Sequence, residues 1–101
     1  MFAPKPRINY SKTIEQAEKI NSLADDLKNV AIEVENIINE LPNIWNSESS
    51  KEFLTFCATL KENIDSTSVK MKSVSSKIST AADELDAEYK EAKARYDASK
   101  K

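Results

Sequence analysis

The 101 residues include no glycine and no histidine. Without glycine, the residue that takes positive φ most readily, primed hairpin turns, glycine-rich phosphate loops and dinucleotide fingerprints are not expected. Most β-rich folds and most nucleotide-binding folds go with them. Lacking histidine, the chain has neither the commonest general base nor the commonest metal ligand. The single cysteine, Cys57, cannot form an internal disulfide, nor hold zinc without several other ligands. It falls on an apolar stripe and reads as a small buried hydrophobe. No apolar run is long enough to cross a bilayer, so no stable membrane insertion is expected. Met1 to Arg7 is followed by no signal-length apolar stretch before Tyr10, so any export is expected to proceed without a cleaved leader. A net charge of −2, with basic residues scattered, argues against a nucleic-acid partner.

What is present is helical patterning, in a length that allows one domain. Pro4 and Pro6 bias their predecessors away from helix, so residues 1–9 read as a flexible, unstructured arm, with Asn9 or Ser11 as the cap of the first helix. From there to residue 101 the pattern is that of a helical hairpin: helix 1 over about 11–41, a turn over about 42–48 and helix 2 over about 49–97. In helix 1, Ile20, Leu23, Leu27, Val30, Val34, Ile37, Leu41 and Ile44 alternate three- and four-residue steps, the spacing of a packed seam. A second row, Ala17, Ala24, Ala31, Ile38 and Trp45, lies beside it. The face is therefore wide enough for two neighbours.

Pro42 breaks the register, Asn43, Asn46 and Ser47 tolerate turns, and Ser47 reads as the cap of helix 2. Beyond it Phe53, Cys57, Leu60, Ile64, Thr67, Met71, Val74, Ile78, Ala81 and Leu85 repeat the alternation. An extra step at Leu85 precedes Tyr89, Ala92 and Tyr96, a stutter that predicts departure from the main core there. The serines between these positions, Ser68 and Ser75 among them, read as a solvated face. A hairpin with one apolar residue in three gains about as much by burial as it loses in chain entropy. Two hairpins closing into an antiparallel four-helix bundle would remove the wet remainder of each face, so an all-α fold that dimerises is expected.

Around the break, Trp45, Ser47, Ser49 and Phe53 stand at the spacing Trp, plus two, plus four, plus eight. With a length near a hundred, a tryptophan near the midpoint and a helix on either side, the chain resembles the Trp-X-Gly family. These are the early-secreted-antigen-like small proteins of the bacterial type VII secretion system. The motif glycine is Ser47 here. The family's export signal, a tyrosine followed four places later by Asp or Glu, is absent in its usual form, since Lys93 and Lys100 follow Tyr89 and Tyr96.

The resemblance implies a helical hairpin whose turn is formed by the tryptophan and the small residue two places on, and an antiparallel four-helix bundle. It further implies a bacterial protein that is cytoplasmic before export and then secreted or cell-surface, or a targeting partner of a co-secreted protein. The implied partners are a second copy, a related hairpin, or the helical N-terminal region of a larger toxin, with a secretion-machinery ATPase as a further candidate. The alternative is a cytoplasmic coiled-coil adaptor or structural bundle unrelated to secretion. No nucleophile–base pair is evident, and Glu84 with Glu88 reads as solvated charge, so neither catalysis nor a cofactor is expected.

Overall fold

The computed structural model describes residues 3–100, and all of its regular structure is helical. Helix α1 spans Tyr10–Glu40, a 3₁₀ turn spans Leu41–Asn43, and α2 spans Glu48–Ser99. The two long helices pack against each other. The packing falls into two units. One contains Asn21–Lys72, with the turn; the other joins α1 up to Ile20 to α2 from Ser73.

Local chemistry sets the helix ends. Asn9 caps α1: its Oδ1 accepts the Lys12 N–H at 3.1 Å, and its carbonyl accepts the Thr13 hydroxyl at 2.9 Å. Ser11, the other candidate, lies inside the helix. At the far end Pro42 sits early in the 3₁₀ turn, where its missing N–H has no partner to lose. The Leu41 carbonyl then accepts both the Ile44 and the Trp45 N–H, at 3.0 and 2.9 Å, closing the helix.

The start of α2 is a reciprocal cap. The Ser50 N–H donates to Ser47 Oγ at 3.3 Å, and the Ser47 N–H donates to Ser50 Oγ at 2.8 Å. That hydroxyl also donates to the Ser47 carbonyl at 2.8 Å. This is the logic of a capping box with serine where glutamate is usual. Ser50 is fully buried.

The helices meet along rows that differ from the expected ones. In α1, Ala17, Ala24 and Ala31 are buried, and Ile20, Leu27, Val34, Ile38 and Leu41 are half-buried. The alanine row, expected to lie beside the seam, is its centre. Leu23, Val30, Ile37 and Ile44, expected on the packing face, are exposed, Leu23 at 54% and Ile44 at 83%. In α2, Cys57 is buried and Ile64, Met71, Ile78 and Leu85 are half-buried, but Phe53, Leu60, Thr67, Val74 and Ala81 are exposed. Their places are taken by Ser50, Leu54, Lys61, Ser68, Ser75 and Ala82.

The reason is close approach. Ser68 donates to the Ala24 carbonyl and Ser75 to the Ala17 carbonyl, each at 2.7 Å. A serine hydroxyl sits one atom beyond Cβ, so such a bond requires the two backbones to lie near each other, and only small residues fit between them. Ser68 and Ser75 are 4% and 7% exposed, so the solvated-face reading fails for both. The stutter disappears as well. The packed rows step evenly through Ser75, Ile78, Ala82, Leu85, Tyr89, Ala92 and Tyr96, every one at least half-buried.

Residues 3–9 are non-helical, yet they are not a free arm. Pro4 and Ile8 are half-buried, and the segment lines shallow grooves with α2. Met1 and Phe2, included in the expected arm, lie outside the described residues, as does Lys101 at the far end.

Candidate functional site

The unit of residues 21–72 has two unlike edges. On one edge ion pairs link the helices: Lys28 to Asp65 at 3.0 Å and Lys72 to Asp25 at 2.7 Å. Asp65 also takes Lys61 of its own helix at 3.0 Å. The hydrogen bonds from Lys28 and then Lys61 hold the Asp65 carboxyl below its ordinary pKa. The bond to Asp65, with its charge, raises that of Lys61.

Lys28, Asp65 and Lys72 each directly follow a seam residue, namely Leu27, Ile64 and Met71. Leu23, Val30, Ile37, Phe53 and Leu60 each directly precede one, namely Ala24, Ala31, Ile38, Leu54 and Lys61. At about 100° of rotation per residue, followers and predecessors fall on opposite sides of a helix seam. In an antiparallel pair the two predecessor rows share one edge, as the two follower rows share the other. The edge opposite the ion pairs is therefore apolar, built from Leu23, Val30 and Ile37 of α1 with Phe53 and Leu60 of α2, all exposed.

The turn adds aromatic surface. Trp45 and Phe53 meet with ring centroids 6.3 Å apart and planes tilted by 41°. They are 42% and 43% exposed, and Phe56 is more exposed still. Of the four turn-motif residues, the structure brings Trp45 and Phe53 together and makes Ser47 the cap. Ser49 stands exposed within the first turn of α2. Sequence reading missed Ser50, whose signal was Ser47-x-x-Ser50 in place of Ser-x-x-Glu.

No described residue has positive φ. Ser47 is a helix cap, for which serine is among the preferred residues. Cys57 is buried on the seam. Among the described residues no helix is long and apolar enough to cross a membrane. No family model, curated protein or solved structure matches this chain.

Proposed function

We propose that this chain is a helical partner protein of the type VII secretion pathway, working as a dimer with itself, with a related hairpin, or with the helical N-terminal region of a co-secreted toxin. The observation that carries the proposal is the uncovered apolar edge of Leu23, Val30, Ile37, Phe53 and Leu60. It is supported by the poverty of the core. Every fully buried side chain among the described residues is small, and Ile20, Leu27, Val34, Ile64 and Met71 are only half covered. Two helices form a single layer and cannot enclose large side chains; a second hairpin can. The secretion assignment rests on the resemblance at Trp45, Ser47, Ser49 and Phe53.

Light scattering on the purified chain, alone and mixed with a co-expressed hairpin or toxin N-terminal region, tests the dimer. A monomer under both conditions removes it. Comparing culture supernatants of the producing bacterium with and without its type VII membrane ATPase tests the pathway. Unchanged amounts leave the chain as a cytoplasmic adaptor.

A further inference from the structure

Helix α2 outruns α1. Tyr10 opens α1 and donates its hydroxyl to Asp83 at 2.6 Å, so beyond that point only the first residues of α1, Tyr10 and Ser11, lie beside α2. Its seam nevertheless continues through Leu85, Tyr89 and Ala92, and these side chains are half-buried. What covers them is the segment before α1. Pro4, Lys5 and Arg7 share a groove of about 180 Å³ with Leu85, Glu88 and Tyr89. On the other side, Arg7, Ile8 and Tyr10 share one of about 630 Å³ with Asp86 and Tyr89.

The charges match across this contact. Residues 83–91 carry Asp83, Glu84, Asp86, Glu88 and Glu91 against Lys90 alone, whereas residues 3–9 carry Lys5 and Arg7 with no acid. The cover fits loosely. Grooves remain on both sides, and its prolines prevent it from continuing α1 along the seam.

We propose that residues 3–9 are a displaceable strap, and that the α2 surface beneath, at Leu85, Asp86, Glu88 and Tyr89, docks a basic, apolar segment of a partner chain that competes with it. The strap already shows the character the surface accepts: Pro4 and Ile8 beside the seam at Leu85 and Tyr89, and in Lys5 and Arg7 a charge opposite to that of the acidic stretch, where Asp86 is also paired with Lys90 at 3.0 Å. A partner segment with the same character and more contact displaces it, and an acidic one does not. This surface belongs to the unit that does not contain the apolar edge described above, and it does not depend on the secretion assignment.

The test uses the full chain and a fluorescein-labelled synthetic peptide copying residues 3–12. In a Lys5→Glu/Arg7→Glu variant the strap no longer competes. The peptide should then bind roughly tenfold tighter than to the parent chain, the factor for a site the strap covers about nine-tenths of the time. Adding Asp86→Lys and Glu88→Lys should abolish the gain, and a peptide with glutamate in place of Lys5 and Arg7 should bind neither chain. In the parent chain, amide exchange over 85–92 should be slower than in the Lys5→Glu/Arg7→Glu variant, with residues 50–70 unchanged. Equal peptide affinity for parent and variant, binding to neither, or equal exchange over 85–92 would each overturn the proposal.

Discussion

Ser75 donates its hydroxyl to the main-chain carbonyl of Ala17 at 2.7 Å, 58 positions away in sequence. The acceptor is already engaged in the α-helical ladder of α1, so this bond uses its second lone pair. In the other unit Ser68 and Ala24 repeat the arrangement. Such bonds set how near the helices lie, and enlarging the residues that make them tests this directly.

Replacing Ser68 or Ser75 by alanine should cost about 0.5–1.5 kcal/mol, the net value of one hydrogen bond. Leucine at either position should cost more, about 1–3 kcal/mol or beyond, because the added volume forces the backbones apart. Urea denaturation followed by circular dichroism measures both. A leucine variant as stable as the parent would mean that the helices are not held this closely.

The reciprocal cap separates Ser47 from Ser50. Ser50→Ala removes a buried hydroxyl that satisfies two backbone groups of Ser47 and should cost about 1–2 kcal/mol. Ser47→Gly should cost only a few tenths of a kcal/mol, since glycine is tolerated at a cap. Thermal melts rank the two. A larger loss for Ser47→Gly would contradict the capping geometry.

Lysine at Leu23 or Leu60 should leave helix content intact, because both side chains are exposed within one chain. It should abolish association, since an unpaired charge buried in an interface costs roughly 3–5 kcal/mol. Trp45→Ala should behave similarly, with a small effect on the isolated chain and a larger one on the assembly. Light scattering and circular dichroism on the same samples distinguish the two effects. Unaltered association in both lysine variants would remove the apolar edge as an interface.

Asp65 and Tyr10 contribute to the pH dependence at opposite ends of the scale. The Asp65 pKa is lowered, first by the Lys28 hydrogen bond and then by that of Lys61. Its contribution is therefore complete above the ordinary carboxylate pKa and disappears as pH falls through the lower, folded value. The Tyr10 pKa is raised, chiefly by its hydrogen bond to Asp83, so its contribution is complete below the ordinary tyrosine value and disappears as pH rises through the folded one. Titration of the Asp65 carboxyl and the Tyr10 ring by NMR should show shifts in those opposite directions. Asp65→Asn should flatten the acid side of the stability profile, and Tyr10→Phe the alkaline side.

Cys57, buried on the seam, should react slowly with thiol reagents in the native chain and quickly in denaturant. Rapid native labelling would place it on the surface and rotate α2.

The all-helical class, the break at Pro42 and the cap at Ser47 could be read in advance because each depends on neighbours a few residues away. Absence of glycine, spacing in threes and fours, and the turn residues act locally and survive without tertiary context. Which apolar row faces inward is a different kind of fact. Ile20, Leu27, Val34 and Leu41 belong equally to a seam with Leu23, Val30, Ile37 and Ile44 or to one with Ala17, Ala24, Ala31 and Ile38. Hydrophobicity favours the first. The structure takes the second, because alanine and serine let the backbones approach until Ser68 and Ser75 reach carbonyls of the other helix, and that gain appears only when two distant segments meet. The same choice turns the larger side chains outward, and it shows why Ser68 and Ser75, polar in sequence, are among the most buried residues in the chain.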